Sequence, residues 1–139
     1  MWYRKLRNLF LASLLSLPTL LNAAPSSEVY CLAANIHNEA RGEPYLGRLA
    51  IAVVTINRAR SGVFNSDICA VVYDKKQFSW TNNRLRLEPT QEDYMIAALA
   101  LSGEHELKEF DALYFHAVYV KPQWKLTRLR QIHNHIFYK

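Results

Sequence analysis

The stretch Asn38-Glu39-Ala40-Arg41-Gly42-Glu43-Pro44 predicts a helix end beside an acidic side chain. Apolar residues recur at helical spacing from position 29 to position 40, which indicates an amphipathic helix. We expect Gly42, which tolerates left-handed backbone, and Pro44, which cannot continue the helical hydrogen bonds, to end it. Glu39 would then lie in the last turn, where the negative end of the helix dipole disfavours an ionised carboxyl. A carboxyl with a raised pKa suits a general acid near neutral pH, whereas an exposed, ion-paired Glu39 is the alternative.

The first 23 residues differ in kind from the rest of the chain. Arg4, Lys5 and Arg7 precede an apolar run from Leu9 to Leu21, and small residues follow, a layout typical of a secretory signal peptide. The run is shorter than the roughly 20 apolar residues of a membrane span. We therefore predict a signal peptide over residues 1–23 and a single exported domain over residues 24–139. An uncleaved membrane anchor is the alternative, and it would be the protein's only contact with a membrane.

The basic character of the chain is partly a property of this leader. The sequence has 17 Lys and Arg against 12 Asp and Glu, and without the leader's three basic residues the balance falls to 14 against 12, a net charge of +2. A nucleic-acid partner loses most of its support on this ground. A remaining basic cluster suits either solvent or an anionic wall polymer: Lys121, Lys125, Arg128 and Arg130.

Two cysteines, Cys31 and Cys69, both fall in the exported part. In an oxidising compartment such a pair predicts a disulfide, which would join the Glu39 helix to the segment after the second helix. Closing that loop would stabilise the fold by about 3–4 kcal/mol on the chain-entropy model. Two buried free thiols are the alternative.

Downstream patterns predict a mostly helical α+β domain with a small antiparallel β element near the C-terminus. The helices are expected over 46–60, from Asn65-Ser66-Asp67 to Tyr73, and from a Thr90/Asp93 cap to Leu101; the strands are expected over 112–119 and 132–138. Asn57 interrupts the apolar stripe of the second helix. Its amide must therefore be hydrogen-bonded, either to core backbone or at the wall of a cleft.

The remaining patterns weigh against a metal or a nucleophilic serine. His133 and His135 would share a strand face, but they lack an acidic partner and a His-Glu-x-x-His motif, so we predict no metal and no cofactor. No Gly-x-Ser-x-Gly motif occurs. The aromatic and polar mixtures Gln77-Phe78-Ser79-Trp80 and Tyr114-Phe115-His116 suit sugar rings, although a core would use the same residues.

Four blocks of the chain resemble, in order, the cell wall hydrolase family typified by the spore cortex-lytic enzyme SleB. The likeness covers about residues 30 to 138 and rests on these segments: Cys31 to Glu43 with its Asn-Glu-Ala-Arg-Gly-Glu motif, Leu49 to Arg58, Ile68 to Tyr73 with Gln77 to Trp80, and Tyr114 to Ala117 with Val120, Pro122, Trp124 and Asn134 to Tyr138. The resemblance implies a lysozyme-like fold of the lytic-transglycosylase type that acts on peptidoglycan glycan strands. Together with the predicted export signal, it leads us to expect the protein in the periplasm or cell envelope, or secreted. It also implies that Glu39 is the catalytic acid.

On this basis we expect one carboxyl, Glu39, to act first as acid and then as base, forming 1,6-anhydro-muramic ends. Residues expected to bind substrate are Glu43, Asn57, Gln77, Phe78, Ser79, Tyr114 and His116. The alternatives are a lysozyme-type hydrolase with Glu43 as second carboxylate, a non-catalytic peptidoglycan-binding module of the same fold, and a metal-dependent amidase. We expect a monomer.

Overall fold

The computed structural model describes residues 24–83 and 86–139, so the predicted signal peptide lies outside the described residues. Four helices and a short 3-10 turn come first, followed by three strands. In chain order they are α1 (Ser27–Ala40), α2 (Tyr45–Arg60), α3 (Ile68–Tyr73), the 3-10 turn (Ser79–Asn82), α4 (Gln91–Ser102), β1 (Tyr114–Ala117), β2 (Arg128–Ile132) and β3 (His135–Tyr138). The predicted mostly helical α+β class is confirmed. Within the described ranges, no helix combines the length and apolar character needed to cross a bilayer.

The first helix ends where the sequence predicts, but the residue conformations that end it differ from those expected. Its C-cap residue, Arg41, keeps right-handed backbone with φ −58°. Among the described glycines, Gly62 and Gly103 have a positive φ. Gly42 does not, so it does not adopt the left-handed backbone that we expected to end the helix. Pro44 instead occupies the N-cap position of α2. The break therefore follows from Pro44, whose ring cannot continue α1 but suits the start of the next helix.

Helix α2 is the centre of the core. Residues 49–56 are buried without interruption, because α1 and α4 pack against this helix and the sheet approaches its C-terminal half. A helix that is apolar on all sides is stable only when other elements surround it. The core also takes Leu32 and Ile36 from α1, Ile96 from α4, and Phe137 from β3.

The predicted disulfide between Cys31 and Cys69 is present and joins α1 to α3 across a sequence separation of 38 residues. Loop closure of this length stabilises by about 4 kcal/mol on the chain-entropy model. Beside it, the Trp80 indole donates to Asn35 Oδ1 at 2.8 Å, and the Asn35 amide donates to Thr55 Oγ1 at 3.1 Å. These buried bonds fix the 3-10 turn and α2 against α1.

The sheet has the order β1-β3-β2 and both pairings are antiparallel. The predicted single strand over 132–138 is wrong, because His133 adopts left-handed backbone (φ 49°) and turns the chain between Ile132 and His135. The strand predicted over 112–119 is shorter in the structure and covers Tyr114–Ala117. Strand β2 was not predicted at all.

Candidate active site

A cleft of about 710 Å³ lies between the C-terminal turn of α1, the segment around the 3-10 turn, and β1 with the loop that follows it. Glu39 is the sole carboxylate among the described residues that line it. Apart from Ala117 and Val120, the other side chains are basic, polar or aromatic: Arg58, Lys75, Lys76, Gln77, Ser79, Asn82, Phe115, His116, Tyr119, Trp124 and His135. The last turn of α1 therefore presents one acid to a basic and aromatic cleft.

The Glu39 carboxyl is partly buried in this cleft. Burial raises its pKa to about 7, because a desolvated carboxylate is disfavoured, while the positive charge of Arg58 lowers it. Hydrogen bonding makes no contribution to this shift. At neutral pH the acid and the carboxylate are thus both populated, so this side chain can donate a proton and accept one.

Arg58, on α2, is the cation that faces Glu39, and it is only 5% exposed. Its Nε donates to the Leu113 carbonyl at 2.7 Å, and its guanidinium lies 5.2 Å and 5.1 Å from the ring centroids of Phe64 and Phe78. Burial lowers the pKa of Arg58 to about 10, so the guanidinium stays charged at neutral pH. These contacts hold one fixed positive charge at the cleft.

Several predicted substrate-binding residues come together around Glu39. Gln77, Ser79 and His116 line the same cleft. Tyr114 lines a second space of about 610 Å³, which shares Arg58 and other residues with the first. We call the part that contains Glu39 the catalytic lobe and the part that contains Tyr114 the second lobe.

Phe78 and Asn57 do not line the catalytic lobe or the second lobe. Phe78 is buried in a small core cluster beside the disulfide and lies under the Arg58 guanidinium. The Asn57 amide donates to the carbonyls of Phe110 and Ala112, at 2.8 Å and 3.1 Å. Of the two alternatives for Asn57, the structure shows the bond to core backbone, since its position on α2 faces the chain that leads into β1.

Glu43 also lies outside the lining of both lobes. Its carboxylate accepts the backbone N–H of Asn134 at 3.2 Å and the side-chain amide of Asn134 at 2.9 Å, and lies 4.0 Å from His135 Nδ1. Gly47 leaves room for it, because a Cβ at that position would stand 2.9 Å from Glu43 Cβ. Glu43 therefore joins the α1–α2 turn to the β2–β3 turn.

Known proteins resemble this chain both in sequence and in fold. A model of the cell wall hydrolase family (Hydrolase_2) matches residues 42–138. This chain belongs to the cell wall hydrolase family. It is 31% identical to a spore cortex-lytic enzyme of Oceanobacillus iheyensis, over 81% of this chain and 42% of that protein. A spore cortex-lytic enzyme of Bacillus cereus is 29% identical, over 85% and 46%. The chain thus spans less than half the length of these relatives.

Two solved structures share the fold of this cell wall hydrolase. They are the catalytic domain of the germination-specific lytic transglycosylase SleB from Bacillus anthracis and that of SleB from Bacillus cereus. Each has a TM-score of 0.72 and 26% identity, covers 85% of this chain, and is itself covered over 98% and 94% respectively. The family and the fold suggested by the four sequence blocks are both confirmed.

The sequence pattern did not single out Trp124 as a site residue of this cell wall hydrolase. Its side chain is 46% exposed and lies between the catalytic lobe and the second lobe. The rings of Tyr114, His116 and Tyr138 surround it with centroid distances of 6.3, 5.6 and 5.8 Å. An indole that is packed among three rings yet partly open to solvent offers apolar surface to a ligand.

Two histidines, His116 and His135, line the cleft, and they differ in their partners: His116 lies within hydrogen-bond distance of two groups, whereas the buried Nδ1 of His135 has no hydrogen-bond partner among the described residues. His116 Nδ1 lies 2.7 Å from the Ala117 carbonyl, which requires a proton on that nitrogen. Its Nε2 lies 2.9 Å from the Tyr138 hydroxyl. Burial lowers the pKa of His135, with His116 adding to the effect and Glu43 opposing it. Over residues 24–83 and 86–139 no three His, Cys, Asp or Glu side chains form a metal-binding group.

Proposed function

We propose that this chain is a peptidoglycan lytic transglycosylase in which Glu39 is both the general acid and the general base. The observation that carries the proposal is the single carboxylate of the cleft, whose pKa burial raises to about 7. A group with this pKa can serve both proton transfers near neutral pH. Likeness to the catalytic domain of a germination-specific lytic transglycosylase supports the same reaction.

The first step uses the protonated form of Glu39. The carboxyl gives its proton to the glycosidic oxygen between N-acetylmuramic acid and N-acetylglucosamine while the bond from muramic C1 to that oxygen breaks. In the second step the Glu39 carboxylate takes the proton of the muramic 6-hydroxyl, and O6 bonds to C1. The product is a 1,6-anhydro ring, no water is consumed, and the proton is back on Glu39 at the end.

Other cleft residues assist this chemistry without exchanging protons. Arg58 stabilises the carboxylate that exists between the two steps, because its positive charge lowers the pKa of Glu39. Trp124 offers a face on which a sugar ring stacks. Gln77, Ser79 and His116 surround the same space and supply hydrogen bonds to the polar rim of the sugar.

The other functions have less support. A hydrolase of the two-carboxylate type needs a second acid that directs water or attacks C1. Glu43, the sequence candidate for it, is bonded to Asn134 and lies outside the cleft lining. A binding module has no use for a buried carboxyl that lacks hydrogen-bond donors, since such a group lowers stability whenever it ionises.

The proposed substrate also sets the proposed location. Peptidoglycan lies outside the cytoplasmic membrane, so we place the protein in the periplasm or cell envelope, exported by the segment over residues 1–23. We propose that it acts there as a monomer, with membrane contact only if that segment is not removed.

Mass spectrometry of the soluble products tests the reaction. Purified protein digests peptidoglycan, and its products are compared with those of the variant Glu39→Gln and of a matched control, Glu28→Gln, at an exposed site on the same helix. We expect muropeptides about one water lighter than hydrolytic products, the control unchanged, and a loss of about a thousandfold or more in Glu39→Gln. Products of full mass would indicate a hydrolase, and bound glycan without products would indicate a binding module.

A further inference from the structure

The second lobe of the cleft has a composition that the proton transfers at Glu39 do not require. It shares Arg58, Lys76 and Trp124 with the catalytic lobe and adds Gln123 and Lys125, together with Tyr114. Its volume of about 610 Å³ is close to the 710 Å³ of the catalytic lobe, so it can hold a ligand group of its own.

The charge of the second lobe has one sign. Arg58, Lys76 and Lys125 line it, and its described lining contains no carboxylate. The ion pairs of the described residues involve neither lysine. Asp74 accepts the backbone N–H of Lys76 at 3.2 Å but lines neither lobe. A ligand that carries carboxylates would therefore meet the positive charge of two lysines that form no ion pair with another described residue.

Arg58 supplies a second, independent sign of a ligand. This side chain is buried, yet its Nη1 finds no hydrogen-bond partner among the described residues. A buried donor without an acceptor is costly, by about 1–3 kcal/mol, unless a bound group satisfies it. Because Arg58 lines both lobes, an acceptor from a ligand in either one can fill this role.

The neutral residues indicate what carries the carboxylates. Gln77 and Gln123 have side-chain amides, which both donate and accept, as peptide groups do. Phe115 and Leu126 supply apolar surface between them. A short acidic peptide matches this lining better than the glycan alone, because it brings several carboxylates and amides together with apolar side chains, whereas a strand without peptide has one acetamido group per sugar and one lactyl carboxylate per muramic acid.

We propose that the second lobe binds the stem peptide attached to the muramic acid, so that the enzyme prefers peptide-carrying strands to bare glycan. This inference rests on the proposed function, because it requires a glycan strand in the catalytic lobe. The two lobes meet at Trp124, so a substituent on the sugar beside Glu39 can enter the second lobe without leaving the cleft.

The test compares two substrates and three proteins. Glycan strands are prepared with their stem peptides or freed of them by an amidase, and kcat/KM is measured on each for the wild type, the double variant Lys76→Gln/Lys125→Gln, and the control Lys121→Gln. Lys121 is an exposed lysine of the same loop as Lys125, outside both lobes. We expect the wild type to prefer peptide-carrying strands about tenfold, the double variant to lose that preference, and the control to keep it.

Binding separates this inference from the proposed reaction. In the Glu39→Gln background, the affinity for each kind of strand is measured by calorimetry with and without the two lysine substitutions. A tenfold preference for peptide-carrying strands that both lysines sustain would support the second lobe even if the wild type formed no anhydro products. Equal affinity and equal kcat/KM for the two substrates would overturn it, as would an effect of Lys121→Gln as large as that of the double variant.

Discussion

Asp93, which packs against helix α1, and Glu39, which lies on it, are both withdrawn from solvent, but their pKa values shift in opposite directions. Asp93, in the first turn of α4, accepts from the Thr90 hydroxyl at 2.7 Å, from the Thr90 N–H at 2.9 Å and from His37 Nδ1 at 2.8 Å. Burial acts to raise its pKa, but the bonds from Thr90 and His37 outweigh burial and lower the pKa below its ordinary value. Glu39, two residues beyond His37, has no such donors among the described residues, and burial raises its pKa to about 7.

This difference separates an acid that stabilises the fold from the acid that we propose as catalytic. Asp93 completes a capping box and ties α4 to α1, so its charge serves the fold. Glu39 is desolvated and the charge of Arg58 offsets this only in part, an arrangement that lowers stability and is typical of catalytic groups. Burial alone does not distinguish the two residues; the number of donors that reach the carboxylate does.

The largest expected effect on the free energy of unfolding comes from substituting Asp93, the acid that stabilises the fold. Asp93→Asn removes the charge that pairs with His37 and Arg48, and places an amide against those donors. We expect a loss of about 3 kcal/mol in the free energy of unfolding, measured by urea denaturation at pH 7. Glu92→Gln is the matched control, because Glu92 pairs with Arg48 from an exposed position and should change stability by less than about 1 kcal/mol. Equal effects of the two substitutions would contradict the comparison.

The second prediction has the opposite sign. The pKa of the Glu39 carboxyl is about 7 in the folded protein, against an ordinary value of 4.5. Between these pH values the carboxyl ionises in the unfolded chain but stays largely protonated in the folded one, so the free energy of unfolding falls as pH rises through this range. Glu39→Gln, which cannot ionise, should therefore match the wild type in stability at pH 4. At pH 8 the unfolding free energy of the variant should exceed that of the wild type by as much as about 3 kcal/mol. Unfolding free energies at the two pH values check this, and a pH-independent difference would contradict it.

For Asp93 the pH dependence runs the other way. Its pKa is lowered, so its stabilisation is complete above the ordinary value of 3.8 and disappears as pH falls through the lower folded-state value. The stability difference between Asp93→Asn and the wild type should therefore change with pH in the acid range, and that between Glu39→Gln and the wild type should change as pH approaches neutrality.

A third prediction concerns the pH dependence of the reaction. The free enzyme must hold protonated Glu39, so kcat/KM should fall as pH rises through about 7. Arg58 lowers the pKa of Glu39, and Arg58→Gln should move this fall to higher pH by about one unit. Arg58→Lys, which keeps the charge, should leave it near its wild-type position. Product formation measured from pH 5 to pH 9 gives both profiles, and an unmoved limb in Arg58→Gln would contradict the assigned role.

The smallest expected effect is at Glu43, the other acid of the same motif. Glu43→Gln weakens the bonds to Asn134, and we expect a loss of about 1 kcal/mol in unfolding free energy. Because Glu43 lies outside the cleft lining, the products should keep their anhydro mass and kcat/KM should keep its alkaline limb. A loss of activity as complete as that of Glu39→Gln would instead make Glu43 a second catalytic carboxyl.

Local signals in the sequence predicted the helical part well. The apolar period, Pro44 and the Thr90/Asp93 cap place the longer helices within two residues of their observed bounds. Strand β2 was missed because Arg128, Arg130 and Gln131 are exposed on an edge strand, where a bulge disrupts the alternation of apolar residues. Nothing in such a segment distinguishes a strand from a loop.

The site was predicted in part for a similar reason. The position of Glu39 in the last turn of its helix could be predicted because Pro44, a few residues later, marks the helix end. Arg58 could not, since a charged residue near a helix end ordinarily lies in solvent, and its partners Leu113 and Phe64 are brought to it only by the folded chain. The one available signal was its position four residues after Val54, on a face that is otherwise apolar.

The disulfide has a consequence for the order in which the molecule can be completed. The covalent ring from Cys31 to Cys69 encloses the whole of α2, and closing it requires no residue beyond Cys69. The cleft, in contrast, needs His116 and Trp124, which come much later in the chain. A chain that folds from its N-terminal part can therefore be oxidised while its active site is still open on one side. We therefore expect the disulfide to form in chains whose cleft is not yet complete.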